Sequence, residues 1–167
     1  MVDMPKNLLE WRALIFSILL CQSAGVVGSL FVFSAIPFWY ATLTLPPFAP
    51  PGWVFGPVWT LLYILMGVSL YIVWRSRGGS IEKGRIRTHG LTVFAVQLVL
   101  NALWSVLFFG LQSPLWGLID IAALDIAVFI TLLYFWRVQK SSALLLIPYF
   151  VWILFASVLN GFIYYLN

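Results

Sequence analysis

Charge is what this chain of 167 residues most lacks: Asp, Glu, Lys and Arg make up 8% of it, against 63% hydrophobic residues and a mean hydropathy of +1.03. A soluble domain carries roughly 25% charged residues, and so few charges cannot hydrate the surface of a water-soluble sphere of this size. None occurs from Ala13 to Trp74, from Thr88 to Ile119 or from Ser141 to Asn167. Lipid must stand in for the missing water. Cysteine is almost absent as well. Cys21 is the only one, which excludes an intrachain disulfide and leaves the redox compartment open. The chain has a single histidine, His89, and no His/Cys/carboxylate cluster at ligand spacing, so no metal site is expected. His89 reads as an interfacial residue at a helix start and Cys21 as a buried, inert thiol. Also missing are segments of about ten residues that alternate apolar and polar, which argues against a transmembrane β-barrel.

What is present is long apolar runs. About 20 residues at 1.5 Å each cross the roughly 30 Å hydrocarbon core. Loops cannot face lipid there, so each run must be cut into helices at its polar or Pro/Gly points. The pattern predicts an all-α membrane protein, a single domain over 1–167, with five transmembrane helices at about 13–36, 53–74, 88–110, 114–136 and 142–166. The connection 37–52 holds Pro37, Pro46, Pro47, Pro50 and Pro51, five of the nine prolines, and cannot continue a helix. Arg75 to Arg87 forms the second connection, with Gly78, Gly79 and Gly84 among its basic residues. Gly110 to Pro114 makes a tight helical hairpin, and Arg137 to Ser141 is the last connection.

Five spans place alternate connections on opposite sides, and the charges test that count. Lys6 and Arg12, then Arg75, Arg77, Lys83, Arg85 and Arg87, then Arg137 and Lys140 all fall on the N-terminal side. These are all nine basic residues. The positive-inside rule then predicts a cytoplasmic N-terminus, with the proline-rich loop and the C-terminus outside. Topology thus accounts for the net charge of +4, and no nucleic-acid partner is expected. Lys6 and Arg12 also fit the basic region of a signal peptide, but the apolar run continues to Ile36, too long for the h-region. Bulky Leu20 argues against a lipoprotein site at Cys21.

Residues 39–63 read WYATLTLPPFAPPGWVFGPVWTLLY, a proline-stiffened aromatic cover that enters a helix near Trp53. Pro57 sits in the first turn, where a missing N–H costs little. Trp59, Tyr63 and Met66 fall on one helical face. An interfacial belt of Trp and Tyr accounts for Trp39, Tyr40 and Trp53, but less well for Trp59, about 9 Å further in. On the third helix Gln97, Asn101, Trp104 and Phe108 form one stripe, matched by Tyr149, Trp152, Ala156 and Leu159 on the fifth. Facing each other, these stripes enclose an apolar slot with aromatic walls and an amide, suited to a flat π-system. Spacing alone equally allows Gln and Asn to serve as helix–helix glue, worth about 0.6–2 kcal/mol. Asp120 and Asp125 each need a partner, water or a proton inside the bilayer. They lie about 140° apart around the helix, too far for one dyad. They read as structural hydrogen-bonding groups or as a proton or polar relay. On the first helix, small residues at 24/28 and 25/29 allow close approach, within the bundle or to a second copy.

The 39–63 segment closely resembles the TspO/MBR family, the tryptophan-rich sensory proteins that include the mitochondrial translocator protein. The family pattern W-Y-x-x-L…P-x-W-x-P-P-x-W-V-x-G-P-V-W-x-x-L-Y is matched nearly throughout. The block Gln97 to Trp104 with Phe108-Phe109-Gly110 looks like the family's third-helix signature. Ile147-Pro148-Tyr149, Trp152, Phe155-Ala156 and Leu159-Asn160 look like the fifth. The register is consistent over 39–160, including Trp116 and Asp120. Phe48 stands where the family usually has Trp, and Leu45 where a basic residue is common. The cholesterol-recognition pattern of animal members needs a basic residue after a tyrosine ending the fifth helix. Tyr164 and Tyr165 are followed by Leu166 and Asn167, so no cholesterol expectation follows.

The resemblance implies a multi-pass protein that binds a porphyrin or similar flat apolar molecule among its helices; a helical bundle favours a bacterial or archaeal plasma membrane, although the family has organellar members as well. Residues matching Trp59, Asn101, Trp104 and Trp152 line the family's pocket. The candidate ligand contacts are Tyr40, Pro51 and Trp53 from the loop and its exit, with Trp59 from the second helix. The third helix adds Asn101, Trp104, Phe108 and Phe109, and the fifth adds Trp152, Ala156 and Leu159. No cofactor is required; porphyrin or haem would be a ligand, held by stacking rather than through iron. Isoquinoline-carboxamide and benzodiazepine-like drugs are implied ligands too, and a homodimer remains open. Two other functions compete with a receptor. One is a porphyrin exporter driven by protonation of Asp120 or Asp125. The other, a light-assisted porphyrin-degrading enzyme, is the weaker, since no nucleophile–base pair is visible.

Overall fold

Polar side chains cap the starts of two of the helices of the computed structural model, the third and the fourth. The structure describes residues 8–76 and 80–167. The readings made on Lys6, Arg77, Gly78 and Gly79 lie outside the described residues. The helices are α1 (Leu8–Ala35), α2 (Phe55–Arg75), α3 (Ile81–Ser105), α4 (Pro114–Val138) and α5 (Lys140–Leu166). Each is long and apolar enough to cross a membrane. This is an all-α integral membrane protein.

Helix α3 begins at Ile81 rather than at 88, because Ser80 caps it: the Lys83 N–H donates to Ser80 Oγ at 3.4 Å. Glu82, Lys83, Arg85 and Arg87 therefore ride on helical turns that project beyond the apolar span. Helix α1 likewise includes Leu8 to Arg12, ahead of 13, and α5 begins at Lys140 rather than 142. Water can solvate charged helical turns as readily as a charged loop. At the other end α3 closes in a π-helical turn, Val106–Gly110. Gln112 follows with a left-handed φ of 53°. Ser113 then caps α4, its Oγ accepting from Trp116 N at 3.4 Å.

The helices close a ring in the order α1, α2, α5, α4, α3. Chain direction alternates around it except between α1 and α3, which run parallel, as an odd-numbered ring requires. The small stripe of α1 supplies part of the closure. Ala24 and Gly28 are buried, and Gly28 faces the Ser105 side chain of α3. That stripe is occupied within the chain.

The loop 37–52 folds back over one end of the ring. It contains a short 3-10 turn, Tyr40–Thr42, and leads into another, Gly52–Val54, before α2. Leu43 and Ala49 pack with Phe108, Leu159 and Ile163. The basic residues mark the opposite end. There Arg87 of α3 donates to the Val73 and Trp74 carbonyls at 3.0 and 2.6 Å, capping α2. Arg75 pairs with Glu10 of α1 at 3.1 Å.

Candidate ligand site

Polar side chains placed along apolar helices must find each other, since no water competes for them in the hydrocarbon region. Near the middle of the ring they form a chain across α2, α3 and α5. Tyr63 Oη donates to Asn101 Oδ1 at 2.6 Å, and Asn101 Nδ2 donates to Tyr149 Oη at 3.1 Å. Tyr149 Oη in turn donates to Gln97 Oε1 at 2.9 Å. All four residues are buried. The amide at Asn101 is therefore already engaged at both ends, and one Nδ2 hydrogen is left for anything else.

Above this chain, toward the proline-rich loop, the interior is lined with rings. Trp59 stacks on Tyr63 with centroids 5.4 Å apart. Trp152 meets Phe55 edge-on at 5.9 Å and lies 5.5 Å from Phe155. Trp104 stacks on Phe108 at 5.1 Å and 18°, with Phe109 edge-on at 5.7 Å. The loop completes the set: Trp39 approaches Phe108 at 5.4 Å and Tyr40 approaches Phe109 at 5.7 Å. Burial raises the Tyr40 phenol above its ordinary pKa. Most of these tryptophans are half-buried, whereas Tyr149, Phe108 and Asn101 are closed off. Among the rings, the Trp152 indole N–H is buried and has no hydrogen-bond partner among the described residues, as is the case for Gln97 Nε2 in the polar chain.

Of the residues anticipated from sequence, the fold brings together Tyr40, Trp59, Asn101, Trp104, Phe108, Phe109, Trp152, Ala156 and Leu159. Pro51 is exposed, and Trp53, at 76% exposure, lies outside the ring cluster. Trp39 and Tyr40 are part of that cluster. The sequence offered no sign that Phe55 and Phe155 would flank Trp152, since phenylalanines are as common on the lipid face. The tie between Tyr63 and Asn101 was also missed. Its signal was the shared face of Trp59, Tyr63 and Met66, which needed α2 to be set against α3.

The two intramembrane carboxyls sit on α4. Asp125 accepts from Ser157 Oγ of α5 at 2.7 Å, while Asp120 is buried with its Oδ2 unpartnered among the described residues. His89 is exposed and 6.2 Å from the Tyr134 ring; Cys21 is buried. No group of three or more His, Cys, Asp or Glu converges among the described residues.

A sequence model of the TspO/MBR family matches residues 17–166. A tryptophan-rich protein TspO of Archaeoglobus fulgidus is 51% identical over 154 residues, 92% of this chain and 96% of its own. The translocator protein of Homo sapiens is 40% identical over 134 residues, 80% of this chain and 78% of its own. A tryptophan-rich sensory protein of Cereibacter sphaeroides is 28% identical over 152 residues, covering 91% and 89%.

Proposed function

The chain belongs to the TspO/MBR family, and from that premise we propose that it is a membrane receptor for a flat hydrophobic ligand of the tetrapyrrole type. The ligand lies between the loop 37–52 and the Tyr63–Asn101–Tyr149 chain. Trp59, Trp104 and Trp152 supply stacking faces, and the loop acts as a cover. The observation that carries this reading is the buried, unpartnered Trp152 N–H among half-buried rings. A buried donor left unpaired costs about 1–3 kcal/mol, and a ligand carbonyl, carboxylate or ring nitrogen would relieve it. Asn101 adds its remaining Nδ2 hydrogen.

Titrating the purified full chain with protoporphyrin IX, read by tryptophan fluorescence quenching, tests the proposal. Saturable quenching is expected. Trp152→Ala should weaken it roughly ten- to a hundredfold, the loss of about 1.5–3 kcal/mol of buried aromatic surface. Asn101→Ala should weaken it several-fold. If both variants bind like the wild type, the site is elsewhere; if the wild type does not bind, the ligand class is wrong.

The charge pattern supports an N-terminus in the cytoplasm, with loop 37–52 and the end of α5 outside, in a bacterial or archaeal plasma membrane. In a Cys21→Ala background, an impermeant maleimide added to intact cells should label Thr44→Cys and spare Ser80→Cys. The reverse pattern inverts the protein.

A further inference from the structure

At the loop end of the ring, Asn160 of α5 is 1% exposed and uses both ends of its amide on two other helices. Its Oδ1 accepts from Trp104 Nε1 of α3 at 3.1 Å, and its Nδ2 donates to the Pro114 carbonyl of α4 at 2.8 Å. The orientation of the amide follows from chemistry. An indole N–H can only donate and a carbonyl can only accept, so a flipped Asn160 would set donor against donor and acceptor against acceptor. Room for the amide comes from Gly117: a Cβ there would lie 2.9 Å from Asn160 Oδ1 and 2.8 Å from the Phe108 ring. Phe108, carried inward by the π-helical turn, covers one face of the same indole. Trp104 is thus held at its edge by a hydrogen bond and on one face by Phe108, with Phe109 edge-on beside it.

We propose that Asn160 is a positioning residue for the ligand site: by pinning the Trp104 N–H it fixes which indole face is presented to the ligand, without touching the ligand itself. This rests on the receptor reading above for its effect on binding, and on geometry alone for its effect on Trp104. Without the acceptor, the part-buried N–H is left without a protein partner, and rotating the indole about its Cβ–Cγ bond is the way to pair it elsewhere. That rotation changes the outline of the wall while the apolar helix contacts persist.

Two substitutions separate the roles of the amide. Asn160→Leu keeps the volume and removes both bonds; Asn160→Asp, as the neutral acid, keeps an oxygen for the indole and an O–H for the Pro114 carbonyl. Each is made with Trp104 and with Trp104→Phe, in the full chain. The Trp104 part of the near-ultraviolet circular dichroism, taken as the difference between each protein and its Trp104→Phe counterpart, should collapse in Asn160→Leu and survive in Asn160→Asp. Protoporphyrin IX affinity should fall about three- to tenfold in Asn160→Leu, the range of one lost hydrogen bond, and stay near wild type in Asn160→Asp. Asn160→Leu should add no further loss in the Trp104→Phe background. Multiplying losses, or an unchanged Trp104 spectrum in Asn160→Leu, overturns the proposal. So does an equal loss in both variants. A wild type that binds no porphyrin while Trp104 responds as described sinks the receptor reading and leaves the positioning role standing.

Discussion

The two ends of the helix ring are built from the same apolar alphabet to opposite effect. At the basic end the interior is closed. Phe94 and Phe135 stack nearly parallel, 5.6 Å apart at 7°, and Val73, Phe135 and Ser142 have no exposure at all. Arginine side chains tie the helix ends down there, Arg87 to α2 and Arg75 to Glu10. At the loop end the rings meet mostly at steep angles, as Trp39, Phe55 and Phe109 do with their neighbours, and many stay half-buried. Ring edges hold most of these positions, and Trp104 adds a side-chain hydrogen bond to Asn160. Flush stacking of small and flat side chains makes an anchor. Steeply tilted, half-buried rings make walls.

The largest predicted effect is at the anchor. A Cβ on Gly67 of α2 would lie 2.5 Å from the Ile18 Cα and 2.8 Å from its backbone nitrogen on α1. A backbone cannot rotate out of the way, so Gly67→Val has to push the two helices apart. A loss of about 3 kcal/mol, at the upper end for overpacking, is expected as a marked drop in the thermal midpoint of the purified protein. If Gly67→Val melts with the wild type, α1 and α2 are not pressed together as described.

A smaller change at the same end sharpens the contrast. Arg87→Met keeps the aliphatic stem but loses both donors to the Val73 and Trp74 carbonyls. These bonds sit at a partly solvated edge, so about 1 kcal/mol is expected. Amide exchange over 71–76 should rise while protoporphyrin IX affinity stays unchanged. A loss of affinity would mean that the two ends are coupled and that the anchor is part of the site.

Span number and helical class were readable because length and apolarity along one segment need no knowledge of the others. The ring order was not. Adjacent residues such as Leu61, exposed, and Leu62, buried, are chemically identical, because lipid and protein core ask for the same side chains. Polar residues gave the exceptions. Gln97, Asn101 and Trp104 marked the inward face of α3 because lipid would not accept them. The start of α3 was misplaced because the basic residues from 83 to 87 look like a loop unless Ser80 is seen capping a helix. Trp53 and Trp59 lie six positions apart in the same motif, yet one faces outward and the other stacks on Tyr63. Only the start of α2 against the loop separates them.

The smallest effect is expected where the cover meets α5. Asn167 Oδ1 accepts from the Thr44 N–H at 2.9 Å, and its Nδ2 donates to the Thr44 and Ile163 carbonyls at 3.1 and 2.9 Å. The amide grips one loop residue by both backbone groups, much as a neighbouring strand would. Thr44 and Asn167 are exposed, so water replaces much of what is lost, and Asn167→Ala should cost under about 1 kcal/mol. Phe48 still holds the loop through Phe155 and Phe162, at 6.4 and 5.2 Å. The prediction is therefore kinetic. Association and dissociation of protoporphyrin IX should both speed up a few-fold, with Kd nearly constant, because a looser cover opens the way in and out equally. Exchange at the loop amides 43–49 should rise in step. Unchanged rates would assign the fastening of the cover to Phe48 alone, and Phe48→Ala would then show the acceleration that Asn167→Ala did not.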